Sequence, residues 1–170
     1  MIKKTPWLER KFNFDFPASH LPVILERLRG TLPRIEDIIK NIPEEKLSRK
    51  KENAWSIKEH IGHLNDLETL HEKRLHEFLE GKDKLSPADM GNAKTYEANH
   101  NAKPVKQLLD ELRTARNLYI KKLEHLNEEE LNRVALHPRL QKQMRLVDMI
   151  FFVAEHDDQH LTTMRELLAM

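Results

Sequence analysis

Apolar residues recur every three or four positions along four long stretches of this 170-residue chain, and nowhere do they alternate with period two for long enough to make a strand. The first stretch holds Leu21, Ile24, Leu25 and Leu28, then Leu32, Ile35, Ile38, Ile39 and Ile42, and Pro43 closes it. Pro33 predicts a kink or restart with Thr31 as its cap, so one broken helix is expected from about Ser19 to Asn41. The second helix begins at a capping box, Ser56 with Glu59, and carries Ile57, Ile61, Leu64, Leu67, Leu75, Phe78 and Leu79 on one stripe to about Glu80. Gly81 ends it. The third starts at Pro104 and runs through Leu108, Leu109, Leu112, Tyr119 and Leu123 to about Leu126; the fourth spans about Lys142 to Leu168. Together they predict an all-α fold, a four-helix bundle over residues 19–170. Residues 1–18, where Phe12, Phe14 and Phe16 alternate with charge before Pro17, read as an N-terminal arm laid over that body.

Composition removes several classes of function. Lys and Arg number 29 against 28 Asp and Glu, so no strong field recruits nucleic acid or anionic lipid. The longest apolar run, Met149 to Ala154, is far too short to cross a bilayer, and the N-terminal stretch lacks the apolar core of a signal peptide. A cytoplasmic protein with no nucleic-acid or membrane partner is the expectation. The chain has no cysteine, which excludes disulfides, thiolate zinc sites and a cysteine nucleophile. Histidine and carboxylate are then the available metal ligands, and any thiol chemistry needs a thiol from outside.

Within the fourth helix, Glu155 to Leu161 reads EHDDQHL and sets His156 and His160 one turn apart on one face, where two rings can converge on one ion. Such a pair needs a third ligand, and the second helix offers His60, His63, His71 and His76. His60 falls where Trp55 packs against the first turn as a hydrophobic staple. His63 lies beside Gly62, a helical glycine that costs about 1 kcal/mol relative to alanine and so marks a close approach by a neighbour or ligand. Periodicity does not choose among them, since His60 and His71 project nearer the centre of the stripe than His63 does. The polar stretch from Gly81 to Lys103 is too long for an ordinary bundle connection and reads as a lid over a site or a meandering crossover. Its Met90, Asn92, Tyr96 and His100 are the loop residues expected to bear on a substrate, and they form no recognisable code.

LRGTLPRIEDIIKNIP, then ENAWSIKEHIGHLNDLE, then HPRL and finally AEHDDQHLTTM resemble, in order and spacing, the DinB/YfiT-like superfamily of metal-dependent four-helix-bundle enzymes over about residues 20–168. The resemblance implies one divalent metal ion held by His63, His156 and His160, with zinc or nickel favoured and manganese or iron as alternatives. The segment after the HP pair departs from the family, reading RLQKQMRL where similar proteins often carry a glycine and a threonine, which leaves the start of the fourth helix open. Asp66, one turn from His63, and Asp157, on the apolar side of the fourth helix, are candidates to orient ligand imidazoles; the plainer alternatives are a surface ion pair and an interface contact.

Three neutral imidazoles leave coordination positions open, the layout of a catalytic site. The implied function is therefore a hydrolase or a low-molecular-weight-thiol S-transferase that activates water or a thiol against a small-molecule electrophile. Proteins of this likeness include bacillithiol- and mycothiol-dependent transferases and isomerases. The competing expectation is a non-catalytic bundle that binds a small molecule or dimerises, with a structural or vestigial metal site. The resemblance also implies a homodimer, and Phe151 and Phe152 are the apolar surplus that would support its interface.

Overall fold

The computed structural model describes residues 3–52 and 54–169; Met1 and Ile2 of the arm, Asn53, and Met170 at the end of the bundle lie outside the described residues. Four long helices form a bundle: α1 (Leu21–Ile39), α3 (Ile57–Leu79), α5 (Val105–Leu123) and α7 (Leu146–Leu168). Three short helices, α2 (Glu44–Leu47), α4 (Ala93–Glu97) and α6 (Glu128–Leu131), lie in the connections, and a hairpin of β1 (Val134–His137) and β2 (Lys142–Arg145) precedes α7. Helix α1 packs on α5 and α7, and α3 packs on the same two, so the first two long helices sit diagonally opposite each other rather than side by side. Among the described residues no helix is long and apolar enough to cross a membrane.

The amphipathic stripes meet in two apolar clusters. One is built around Ile24, Leu28, Phe78, Leu123 and Ile150, and the other around Ile35, Ile61, Leu64, Leu108 and Leu112, all essentially inaccessible to solvent. The capping box at the head of α3 is present in both directions: Ser56 Oγ accepts from the Glu59 amide at 3.1 Å, and Glu59 Oε2 accepts from the Ser56 amide at 2.8 Å. At its other end Gly81, with φ +72°, turns the chain away.

Two local expectations are corrected. Helix α1 runs unbroken through Pro33, and Thr31 is not a cap. The Arg34 side chain donates to the carbonyls of Gly30 and Arg27 in the turn below the proline, each at 3.0 Å, supplying bonds beside the one Pro33 cannot make. Residues from Lys142 to Arg145 form a strand rather than the start of the last helix, paired antiparallel with β1 from Val134↔Arg145 to His137↔Lys142. Each strand has only four residues and buries few of them, Ala135 and His137 on one and Met144 on the other, too short a run for period two to register.

The arm lies on α7. Phe12 and Trp7 meet Phe152 with ring centroids 5.0 and 4.9 Å apart, Phe16 meets Phe151 at 5.1 Å, and Arg145 donates to the Phe14 and Phe16 carbonyls. The aromatic surface of Phe151 and Phe152 is thus covered by the chain itself, and that surplus gives no ground for a dimer interface.

Polar contacts join all four long helices at one buried point. Arg116 on α5, 1% exposed, binds Glu68 on α3 and Asp157 on α7, and Thr31 on α1 donates to Asp157 Oδ2 at 2.8 Å. Burial alone would raise the Glu68 carboxyl, but the Arg116 charge outweighs it and holds the group at about 2. Removing the guanidinium strands two buried carboxylates, so Arg116→Met is expected to destabilise the fold by roughly 3–5 kcal/mol in chemical denaturation. Because the folded pKa of Glu68 lies below its ordinary 4.5, its contribution is complete above that pH and is lost as the pH falls toward 2. Denaturation midpoints followed down through pH 4 and 3 are expected to fall less steeply in Glu68→Gln than in the wild type.

Candidate metal centre

His63, His156 and His160 each present a ring nitrogen, and the three nitrogens lie within 4.8 Å of one another. The α7 pair comes from the one-turn spacing, with His156 Nε2 and His160 Nε2 3.1 Å apart. Helix α3 packs along α7 and brings His63 alongside, its ring centroid 4.9 Å from that of His160 and 5.5 Å from that of His156. Nitrogen atoms at about 2.1 Å from a tetrahedral ion are about 3.4 Å apart, so this cluster fits one divalent ion.

The three rings are held neutral by burial. Burial lowers His63 to about 4, against the pull of the Asp66 carboxylate, and pushes His156 and His160 well below the usual histidine range. A relay fixes the proton on His63. Thr95 on α4 donates its hydroxyl to Asp66 Oδ2 at 3.0 Å, so its oxygen is left to accept from His63 Nδ1, also at 3.0 Å, and Nε2 keeps the lone pair. His60 Nδ1 lies 2.8 Å from His160 Nδ1; when His160 is the donor of that bond, its Nε2 keeps the lone pair. The buried Nδ1 of His156 has no hydrogen-bond partner among the described residues.

Asp66 therefore reaches His63 through Thr95, and it is gripped from the other side by His100 Nε2 at 2.9 Å. Burial would raise the Asp66 carboxyl, but these partners hold it below the usual carboxylate range. Asp157 does something else: its carboxylate is taken by Arg116 and Thr31, and among the described residues no hydrogen bond joins it to a histidine. Apart from the relation of His60 to Trp55, whose rings are 5.5 Å apart, sequence reasoning did not find the roles of His60, Thr95 or His100. One signal did point to His100. A Cβ at Gly62 would stand 2.3 Å from the His100 ring, so the helical glycine exists to admit the loop. The loop end is further tied to the head of α3, where Ser56 Oγ donates to Asn101 and the Lys58 ammonium donates to the Lys103 carbonyl.

A cavity of about 370 Å³ opens beside the three histidines, within the usual range for small-molecule sites. Its walls come from α3, α7, the long loop, the hairpin turn and the arm, with Trp7 and Trp55, Met90 and Asn92, Met149 and Phe152 among them. Trp55 stands over the cluster, 4.6 Å from His63 ring to ring, and Trp7 stands 5.0 Å from His156.

The sequence profile of the DinB superfamily matches residues 27–164. The chain belongs to the DinB superfamily. YfiT from Bacillus subtilis, described as a probable metal-dependent hydrolase with an unusual four-helix bundle topology, superposes with a TM-score of 0.80 at 16% identity over 94% of this chain and 91% of that one. A mycothiol-dependent maleylpyruvate isomerase superposes with a TM-score of 0.67 at 9% identity, over 87% of this chain and 60% of the isomerase. A Streptococcus pneumoniae protein aligns at 0.61 with 13% identity, covering 93% of each chain. No curated protein sequence matches. At these identities the likenesses describe the DinB fold, and the diagonal arrangement of α1 and α3 is this chain's form of it.

Thr95→Ala is expected to weaken binding of a divalent ion about 10–100-fold while leaving secondary structure intact, as measured by competition with a chromophoric chelator. Gly62→Ala should lower both ion affinity and melting temperature despite the better helix propensity of alanine, because it expels His100. Gly30→Ala is the control: its Cβ meets nothing closer than 3.6 Å, and it should stabilise by up to about 1 kcal/mol.

Proposed function

We propose that this DinB-family protein is a metal-dependent enzyme, a hydrolase or a low-molecular-weight-thiol S-transferase, with His63, His156 and His160 as ligands of one divalent ion, zinc or nickel first. The observation that carries the reading is the convergence of three neutral imidazoles at the wall of a cavity of about 370 Å³. When bound, such an ion supplies the Lewis acidity that makes water or a thiol nucleophilic near neutral pH. The chain's own residues do the rest. The Asp66–Thr95 pair keeps the proton of His63 on Nδ1, so that ring need not rotate or change tautomer to serve as a ligand, and His60 is placed to accept from His160 when that ring is the donor. Trp55 and Trp7 screen the cluster from bulk water and leave the apolar body of a small electrophile a surface to lie on.

The alternative of a closed structural clamp is less well supported, because no fourth side chain joins the three histidines among the described residues and their open side meets the cavity. In the thiol branch the thiol is an incoming one, since the chain has no cysteine. Kinship in fold to a mycothiol-dependent isomerase agrees with that branch.

Protein purified without an affinity tag and reloaded with zinc, nickel or manganese should hold about one equivalent by elemental analysis. The His63→Ala, His156→Ala double variant should hold none, and loading that survives it, or wild-type loading below a tenth of an equivalent, would overturn the assignment. Ester hydrolysis and thiol-transfer screens on the loaded protein then separate the two branches.

A further inference from the structure

One corner of the cavity holds two guanidinium groups with no carboxylate paired to them among the described residues. Arg74 on α3 is 3% exposed, and among the described residues it forms no ion pair; Nε and one terminal nitrogen donate to the Ser86 carbonyl at 3.0 and 2.8 Å. Its other terminal nitrogen has only a weak acceptor, the Met149 thioether sulfur at 3.9 Å, and it also faces His137 Nε2 at 3.4 Å. That contact is donor against donor. The Leu140 amide donates to His137 Nδ1 at 3.2 Å, so the neutral ring must carry its proton on Nε2. Burial, with Arg74 and Arg139 adding to it, lowers His137 to about 4 and keeps the ring neutral.

Arg139, in the hairpin turn, completes the group. Its guanidinium lies over Trp7 and Phe152, 5.6 and 5.5 Å from their centroids, and one buried terminal nitrogen has no hydrogen-bond partner among the described residues. Nor does Arg139 form an ion pair there. Burial lowers Arg74 to about 10, with the neighbouring charge of Arg139 adding to the effect and Glu77 opposing it. The nearby carboxylates are committed elsewhere. Glu77 accepts from the amide and hydroxyl of Ser86, and Asp89 accepts from the Gly91 and Ala93 amides at 2.8 and 2.7 Å.

A buried guanidinium held by one carbonyl and a thioether, beside a half-buried one with an unpaired nitrogen, is costly at the wall of an otherwise apolar cavity unless an anion answers the pair. We infer that Arg74, Arg139 and His137 form a carboxylate subsite, and that the ligand of this cavity is a small organic acid with its carboxylate at that corner and its apolar body along Phe152 and Met149 toward the three histidines. The inference rests on the proposed metal-dependent chemistry only in making this acid a substrate; the subsite itself is built from residues outside the histidine cluster.

Benzoate, its neutral counterpart benzamide and inorganic phosphate are the probes, titrated calorimetrically into the full chain as purified and again after chelation and dialysis. Benzoate should bind at one site at least about tenfold more tightly than benzamide, in both preparations. Arg139→Met, a change in a surface turn, should erase that preference while metal content and circular dichroism stay unchanged, and Arg74→Lys should weaken it, since an ammonium cannot reproduce the planar fork. Equal binding of benzoate and benzamide overturns the subsite, as does phosphate binding as tight as benzoate. Benzoate binding that vanishes on chelation and ignores Arg139→Met puts the carboxylate on the ion and overturns the subsite too. If the protein holds no metal and benzoate still binds through Arg139, the subsite stands and the metal-dependent reading falls; if metal loads but benzoate does not bind, the reverse holds.

Discussion

The buried guanidinium of Arg116 sets the register of the bundle. The hydrophobic effect that buries the apolar stripes of α1, α3, α5 and α7 is non-directional and does not by itself choose one level at which the helices meet. Hydrogen bonds are not so tolerant. Arg116 must meet Glu68 and Asp157 at once, and Asp157 must also meet Thr31, so one residue from each long helix is held at one level. Asp157 adjoins His156, and Glu68 lies five residues beyond His63 on α3. The contact that aligns α3 with α7 therefore also aligns the histidines they carry. A network like this adds little net stability over an apolar core of the same volume, but it makes the wrong register expensive.

Above that level the loop between α3 and α5 takes over. It delivers Thr95 to His63 from α4 and His100 to Asp66 from the turn that follows, and it can do so only because Gly62 leaves room for the His100 ring. The glycine is unfavourable for the helix taken alone. Its cost is offset by the bonds that fix the tautomer of His63. Local helix propensity has been given up for control of a single proton, the kind of conflict between levels that concentrates at functional sites.

The fold was legible because its evidence is redundant: each long helix repeats its apolar signal over four or more turns, and the capping box at Ser56 marks a boundary by chemistry rather than by period. Pro33 misled because the rule for proline is local, while the bonds that carry α1 past it come from Arg34 and from packing. The hairpin was missed because four-residue strands give no period to read. At the site, the spacing of His156 and His160 is written in the chain, but the choice between His60 and His63 is not. His63 reaches the cluster with one nitrogen while Thr95 takes the other, whereas His60 stands behind the cluster against the Nδ1 of His160. Thr95 sits in a polar loop without periodicity, so nothing before folding distinguishes it from its neighbours. Gly62 was the exception, a local defect whose cause lay some forty residues away in the chain.

The charge pattern of the cavity follows from the same geometry. Three imidazoles buried together are driven neutral, because protonating any one of them costs desolvation and repels the others. Their wall is therefore rich in lone pairs, which suits a cation, while the wall made by Arg74, Arg139 and His137 is rich in N–H donors, which suits an anion. The two walls are joined by Trp7 and Phe152, and Trp7 belongs to the arm that packs on α7. Trp7 stands between the walls, 5.0 Å from the His156 ring on one side and 5.6 Å from the Arg139 guanidinium on the other. A segment outside the four-helix pattern thereby closes one side of a cavity that has ring lone pairs on one wall and N–H donors on the other.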